Sequence, residues 1–140
     1  MKFLFIFLVS FQLWAFPPTP DKTVSPGDLC TIENPDFKEM RYPEQIPYCK
    51  RNVTEERKVK IYEKYRIPKA ERNQYTIDHI IPLSIGGSNS NKNLWPEHLT
   101  IKKARGTLEF DLYLALKNAT MPQDVAIQTI LDSKFQQKPE

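Results

Sequence analysis

Both histidines of the chain lie in one stretch that also carries an aspartate and several asparagines, "YTIDHIIPLSIGGSNSNKNLWPEH". Asp78 directly precedes His79, Asn93 follows fourteen residues after His79, and His98 follows five residues after that. A carboxylate and an imidazole can share a divalent cation, and a second imidazole, with an ordinary pKa of about 6.5, can take a proton from water. These residue types therefore predict a metal-assisted hydrolytic site.

The elements that would position these residues begin with a strand. "YTIDHII" is β-branched and ends before Pro82, and a second short strand around Leu83 to Ile85 would complete a hairpin. Adjacent strand residues point to opposite faces, so Asp78 and His79 can share one site only if the strand twists or bulges where it ends. The alternative is a polar pair at the surface near a turn.

A helix is predicted next. "EHLTIKKARGTLEFDLYLALKN" has apolar residues at helical spacing, and Pro96 before it suits a first helical position, although Gly106 weakens the pattern. One continuous helix would carry a stripe able to combine a metal ligand, two phosphate-binding cations and a carboxylate that holds a metal-bound water. The alternative is an ordinary solvated face. The stripe consists of His98, Lys102, Arg105 and Glu109.

Two further helices flank this unit. "VTEERKVKIYEKYRI" begins at a Thr54 cap and stops at Pro68, and "MPQDVAIQTILDSKF" begins at a Thr120 cap with Pro122 in its first turn. Residues 28–52 show no clear periodicity and predict irregular structure. The order helix, two strands, helix, helix predicts a small α+β domain.

The N-terminus predicts export. Residues 1–15, "MKFLFIFLVSFQLWA", form an apolar run that is short for a membrane span and ends in a small residue, which predicts a signal peptide; an uncleaved anchor is the alternative. Residues 16–27 are a proline-rich extended leader, and residues 28–140 form one domain. We therefore expect a secreted or periplasmic protein with no stable membrane association after signal cleavage.

Two cysteines remain after the predicted signal. Cys30 and Cys49 form an even pair in an exported chain, which predicts one disulfide. Closing a loop of this length stabilises the fold by roughly 3 kcal/mol on the chain-entropy model. Two zinc-binding thiols are the alternative, but this segment offers too few partners for them.

Charge is unevenly distributed along the chain. Residues 16–49 carry a formal charge of −3, residues 50–106 carry +7, and residues 107–140 carry −2. A polyanion is the natural partner of such a positive segment, and ordinary solvated lysines are the alternative. The candidate nucleic-acid contacts are Arg51, Arg57, Lys58, Lys60, Lys64, Lys102 and Lys103.

The string "IDHIIPLSIGGSNSNKNLW" resembles the HNH (His-Asn-His, ββα-metal) endonuclease family. The resemblance implies a core of a short hairpin plus a helix, flanked by additional helices. It implies that His79 is the general base, that Asp78 is the first metal ligand, and that Asn93 orients the base and braces the loop. It further implies a divalent metal, with Mg²⁺ as first choice and Mn²⁺, Ca²⁺, Ni²⁺ or Zn²⁺ as alternatives. The zinc-binding Cys pairs that the family often carries are absent from this sequence, so we expect no structural zinc.

The chain departs from the family pattern at the last motif position. Lys102 stands where many members carry a His or Asn, and a charged lysine cannot bind a metal. His98 is therefore the candidate second ligand, with Glu109 as its rival. The family's downstream basic residue and glutamate make Arg105 a candidate catalytic residue and Glu109 a candidate metal residue.

The sequence thus predicts an exported, metal-dependent endonuclease of low sequence specificity, acting on DNA and conceivably on RNA. Oligomeric state is not predicted. One alternative is a catalytically inactive nucleic-acid-binding protein that retains the HNH fold, which the missing ligand at Lys102 suggests. Another is an exported structural protein in which Asp78-His79 and the "NLWP" segment only pack.

Overall fold

The fold is α+β, as the order of elements predicted. A computed structural model describes residues 16–136, so the predicted signal peptide lies outside the described residues. The strands are β1 (Phe37–Arg41), β2 (Ile46–Cys49), β3 (Tyr75–His79) and β4 (Leu94–His98). The helices are α1 (Glu55–Lys64), α2 (Leu99–Arg105), α3 (Leu108–Lys117) and α4 (Gln123–Phe135).

The strands form two antiparallel pairs. β1 pairs with β2, and the register shifts between Phe37 and Glu39. β3 pairs with β4 in a continuous register from Tyr75↔His98 to His79↔Leu94. The prediction of irregular structure over residues 28–52 was therefore wrong, because the first hairpin lies there.

Helix α1 forms as predicted. Thr54 caps it by accepting a hydrogen bond from the Arg57 backbone N–H, and Glu55 and Glu56 lie in its first turn, where the helix dipole favours negative charge. The helix ends at Lys64, three residues before Ile67 and four before Pro68. Its buried Ile61 joins a small cluster with Ile77 and Leu94. Helix α1 therefore covers one face of the β3–β4 pair.

The prediction of a second strand around Leu83 to Ile85 was wrong. Leu83–Ile85 form a turn of 3₁₀ helix, and the partner of β3 is β4, which begins fifteen residues after β3 ends. Pro96 does not begin a helix but pairs with Ile77 within β4. A two-stranded sheet has only edge strands, so a residue without a backbone N–H is tolerated there.

The long helix predicted after Pro96 is broken at Gly106. Gly106 has φ 61° and ψ −127°, a combination that side chains strongly disfavour, and it separates α2 from α3. Thr120 does not cap α4; its hydroxyl donates to the Ala115 carbonyl, and Pro122 occupies the cap position. The stripe predicted on one helix is thus distributed over β4, α2 and α3.

The main core lies between the second face of the β3–β4 pair and the C-terminal helices. Trp95 is fully buried there, as a core anchor rather than an exposed platform. The buried residues of this core are Ile46, Ile80, Ile81, Ile85, Trp95, Ile101, Leu112, Leu116, Ala126 and Ile130. No helix within residues 16–136 has the length and apolar content needed to cross a bilayer.

The disulfide between Cys30 and Cys49 is present, as predicted, with Cα atoms 5.7 Å apart. Cys49 ends β2, so the bond ties the first hairpin to the residues before it.

The segment of residues 24–30, here called the strap, crosses the loop between β3 and β4. The Ser25 hydroxyl donates to the Leu94 carbonyl at 2.7 Å, and the Ser88 hydroxyl donates to the Asp28 carboxylate at 2.6 Å. Backbone hydrogen bonds join Gly27 to Lys92 and Cys30 to Gly86. The end of the predicted leader is therefore bound to the loop that carries the polar residues of the HNH-like string.

Candidate functional site

The β3–β4 pair places Asp78 and His79 on opposite faces. Asp78 lies opposite Trp95 and His79 opposite Leu94, in a register without a bulge. Their side chains have different partners: His79 contacts Asn89, whereas Asp78 faces Lys102 and Arg105. The bulge that one shared site requires is absent from β3.

The imidazole of His79 is held by Asn89. The ring Nε2 lies 3.0 Å from the Asn89 Oδ1. The Asn89 amide nitrogen donates to the Asp36 carboxylate at 3.1 Å and to the Lys50 carbonyl at 2.8 Å, which fixes the orientation of the amide. An amide oxygen can only accept, so Nε2 carries the hydrogen of the neutral ring and Nδ1 carries the lone pair.

The surroundings of His79 favour its neutral form. Burial lowers the pKa of the imidazole below its ordinary value, and the positive charges of Arg51 and Lys134 act in the same direction. The hydrogen bond to Asn89 and the charge of Asp78 oppose this shift. A neutral ring with a free Nδ1 lone pair can accept a proton at pH 7.

The Asn93 amide forms its hydrogen bonds within and beside the loop rather than with His79. Its Oδ1 accepts from the backbone N–H groups of Ile81 and Asp28, at 2.9 and 3.3 Å. Its Nδ2 donates to the carbonyls of Ile81 and Ser88, at 2.9 and 2.8 Å. The structure thus gives Asn93 the contacts of a loop brace, while the residue that touches the base is Asn89.

Gly87 makes this bracing possible by close approach. A Cβ atom at position 87 would lie 1.8 Å from the Ile81 carbonyl oxygen and 2.9 Å from the Asn93 Nδ2. Only glycine therefore lets the loop fold back onto the end of β3.

The face that carries Asp78 is a buried ionic cluster. The Asp78 Oδ2 lies 3.4 Å from the Lys102 Nζ and 3.6 Å from an Arg105 guanidinium nitrogen. The Arg105 guanidinium also lies in close contact with the carboxyl group of Glu97, which is fully buried. The Arg105 Nε lies 3.3 Å from Glu109, and Lys134 lies 2.9 Å from the same carboxylate.

Lys134 connects the two faces. Its ammonium is fully buried and donates to the His79 backbone carbonyl at 2.6 Å. Helix α4 is therefore linked directly to the end of β3, beside both candidate site residues.

Asp78 and Glu97 share one negative charge near neutral pH. Burial raises the pKa of Glu97 to about 8, and the hydrogen bond and charge of Asp78 add to that shift against the opposing cations Arg105 and Lys134. Burial also resists ionisation of Asp78, but the hydrogen bond from Glu97 and the three nearby cations hold its pKa well below its ordinary range. The proton of the pair therefore resides on Glu97.

The predicted metal ligands Asp78, His98 and Glu109 are not brought together. His98 ends β4 three positions beyond the partner of Asp78, about 10 Å along the strand. Its Nδ1 accepts from the Thr100 backbone N–H at 3.2 Å, and its ring stacks on Phe16 at 3.8 Å. Across residues 16–136, no three His, Cys, Asp or Glu side chains are arranged to hold a metal ion.

The residues present therefore do not fit the predicted metal site. The carboxyl group of Asp78 is paired with that of Glu97, and the cations Lys102 and Arg105 already lie beside Asp78. These cations supply the positive charge that a metal would otherwise supply.

The predicted nucleic-acid contacts have diverse surroundings. Lys58 and Lys60 pair with Glu55 and Glu56 at 2.6 and 2.7 Å, within α1. Arg57 donates to the backbone carbonyls of Asn52 and Asn89, so it supports the loop. Lys64 and Lys103 are exposed, and Lys102 faces Asp78.

Arg51 borders a cleft at the base of the first hairpin, here called the hairpin cleft, of about 440 Å³. Asn89 touches its wall through Asp36 and Lys50, so the cleft lies one side chain away from His79. Its lining residues are Pro35, Asp36, Phe37, Lys38, Lys50, Arg51 and Asn52.

Asn89, Glu97 and Lys134 are the site residues that the sequence did not indicate. Asn89 stands in "GGSNSNKN" among three asparagines that the sequence alone does not distinguish. Glu97 lies beside the predicted ligand His98, and only its pairing opposite Thr76 shows that it shares a face with Asp78.

Comparison with known proteins adds no relative: no protein-family model, no curated protein and no solved structure matches the chain.

Proposed function

We propose that the protein is an exported endonuclease that hydrolyses phosphodiester bonds of nucleic acid, with His79 as the general base. The observation that carries the proposal is the arrangement of the His79 ring. Asn89 fixes its neutral tautomer with the lone pair on Nδ1, and burial and Arg51 keep it unprotonated near pH 7. The resemblance to the HNH motif and the positive charge of residues 50–106 point to the same chemistry.

In the proposed reaction, Nδ1 of His79 takes a proton from water as the water oxygen attacks phosphorus. The new P–O bond forms as the bond to the leaving oxygen breaks, the leaving oxygen takes a proton from solvent to become a hydroxyl, and His79 returns its proton to solvent. The products are a phosphate monoester and an alcohol. Arg51 lies close enough to shift the pKa of His79, so its guanidinium can offset the charge that develops on the phosphate.

The proposed reaction requires that water reaches the His79 ring. The His79 residue is only 4% exposed, so the attacking water must reach Nδ1 through a small opening. Arg51 and Lys50 are exposed and line the neighbouring hairpin cleft, and the Lys50 carbonyl accepts from the Asn89 amide that contacts the ring. A restricted approach also explains why one water, rather than bulk solvent, would meet the base.

The test is nicking of supercoiled plasmid by residues 16–140, with Mg²⁺, with EDTA, and with His79→Ala purified identically. We expect the wild-type protein to nick and His79→Ala, shown folded by circular dichroism, to lose at least 100-fold in rate. Equal nicking by the two proteins would remove His79 from the mechanism. Parallel reactions on single-stranded DNA and RNA identify the preferred substrate.

His98→Ser tests the metal hypothesis separately, because serine also caps helices well but lacks the imidazole or amide that the family uses at its last motif position. Retained nicking supports the structural placement of His98 as the cap of α2. Loss of nicking together with weaker Mg²⁺ binding would instead support His98 as a ligand. Export is tested by N-terminal sequencing of the protein recovered outside the cytoplasm.

A nucleic-acid-binding protein without activity is the second candidate. Lys102 and Arg105 favour it, because they neutralise the carboxylate that resembles a metal ligand. Binding that persists in EDTA, with no cleavage in Mg²⁺, Mn²⁺, Ca²⁺, Ni²⁺ or Zn²⁺, would support this candidate and contradict the first.

A further inference from the structure

The hairpin cleft has the dimensions and position of a ligand site. Its volume of about 440 Å³ lies within the range of small-molecule pockets. Its walls come from the residues around the start of β1 and from those that follow β2. The disulfide at Cys49 fixes the second wall next to Lys50.

The cleft carries unpaired positive charge. Lys38, Lys50 and Arg51 are exposed, and within residues 16–136 none of them forms an ion pair with a carboxylate. The acidic group of the cleft, Asp36, instead accepts hydrogen bonds from the amides of Asn52 and Asn89. The lining therefore has a net formal charge of +2, whereas Lys58 and Lys60 on α1 are each neutralised by a glutamate.

The cleft also has an apolar wall. Pro35 and Phe37 line it together with the cations, and the Phe37 side chain is half-buried. An aromatic face beside cations is the combination that binds single-stranded nucleic acid, because bases stack on the ring while phosphates contact the charges.

The cleft is coupled to the proposed base. Asn89 donates to Asp36 and to the Lys50 carbonyl and holds the His79 ring with its oxygen. A nucleotide in the cleft would therefore contact Asp36 and Lys50, the two residues that hold the Asn89 amide against the proposed base.

We propose that the hairpin cleft binds one nucleotide of single-stranded nucleic acid, with its base against Phe37 and the flanking phosphates at Lys38, Lys50 and Arg51. A base inside a duplex is stacked on its neighbours and cannot enter, so the cleft selects unpaired strands. The identity of the ligand rests on the proposed function; the binding itself does not require cleavage.

The experiment measures binding of fluorescein-labelled dT12 and of the matching duplex by fluorescence anisotropy, in EDTA and in the His79→Ala background. Without His79 no cleavage can consume the probe, so binding is measured independently of the reaction. We expect dT12 to bind at least tenfold more tightly than the duplex at equal salt.

Two sets of variants identify the site. Lys50→Gln with Arg51→Gln should weaken dT12 binding at least tenfold and reduce the slope of log K against log salt by about 1.4, about 0.7 for each lost phosphate contact. Phe37→Leu, which keeps an apolar side chain but removes the ring, should weaken binding about tenfold at unchanged salt slope.

The matched control, Lys69→Gln with Lys117→Gln, removes the same charge from exposed positions outside the cleft. If this control weakens binding as much as the cleft variant does, only bulk charge acts and the proposal is overturned. Equal affinity for dT12 and the duplex, or no effect of Phe37→Leu, would also overturn it. Binding at the cleft without nicking by the wild-type protein would support the cleft and reject the proposed nuclease activity.

Discussion

At the scale of single residues, Asp78 and His79 are neighbours in the chain with opposite surroundings. His79 lies beside a neutral amide and near an exposed arginine, while Asp78 lies beside a second carboxyl group and three cations. One face of the sheet therefore keeps a base uncharged, and the other keeps an acid charged.

Arg51→Gln should move the pH dependence of cleavage. Removal of the positive charge raises the pKa of His79 toward its ordinary value, so the ring becomes protonated at a higher pH on acidification. The acidic limb of the plot of kcat/KM against pH should therefore move to higher pH than in wild type. The position of the limb, rather than its height, reports this effect, and Lys69→Gln is the control that should leave the limb in place.

Glu97→Gln should change how stability depends on pH. The pKa of Glu97 is raised from 4.5 to about 8, so folded Glu97 retains a proton that unfolded Glu97 has lost. Its contribution is complete below about pH 4.5 and is lost as pH rises toward 8. The free energy of unfolding, measured in urea at pH 5 and pH 8, should fall more between these values in wild type than in the variant.

The opposite contribution of His79, whose lowered pKa makes stability rise with pH below about 6.5, is common to both proteins and cancels in this comparison. Equal falls in wild type and Glu97→Gln would mean that Glu97 is already ionised in the folded protein.

At the scale of elements, local residues determine where helix α1 forms, whereas tertiary contacts determine which segment pairs with β3. Thr54, the two glutamates and Pro68 lie within one helix length, so the sequence could predict α1. The partner of β3 could not be predicted locally, because "LSI" at 83–85 and "LWPEH" at 94–98 are both short apolar segments near proline. Only the loop closed by Asn93 determines which of them reaches β3.

Gly106→Ala and Gly87→Ala should destabilise the fold by different amounts. At Gly106 nothing lies within 4 Å of an added Cβ, so the substitution costs only the strain of φ 61°, about 1–3 kcal/mol. At Gly87 the added atom would overlap the Ile81 carbonyl and displace the Asn93 amide. Thermal unfolding should show a modest loss of stability for Gly106→Ala and a much larger loss for Gly87→Ala. Similar losses would contradict the close approach at Gly87.

At the scale of the whole molecule, long-range contacts build what the sequence did not show. Asn89 reaches Asp36 across 53 residues of chain, and Lys134 reaches His79 across 55. The sequence could indicate Asp78 and His79 as candidate site residues, because they are adjacent in the chain. It could also indicate the disulfide, because Cys30 and Cys49 are the two cysteines of the chain. It could not indicate Asn89, Glu97 or Lys134, because their roles come from elements that meet only in the folded domain.

Removal of the disulfide should destabilise the whole domain. Cys30→Ser with Cys49→Ser frees a loop spanning 19 residues, which costs roughly 3 kcal/mol on the chain-entropy model. Urea unfolding of the double variant and of wild type, both at pH 7, measures the difference. A loss well below 1 kcal/mol would show that the strap and the first hairpin hold together without the covalent bond.

The strap also determines how much of the chain is needed as a working unit. The HNH-like string occupies a short stretch, yet the backbone of its loop forms hydrogen bonds to Gly27, Asp28 and Cys30. A fragment limited to residues 75–109 would leave those groups without their partners. The motif alone is therefore not an independent folding unit. A design that grafts it onto another protein would have to include the strap as well.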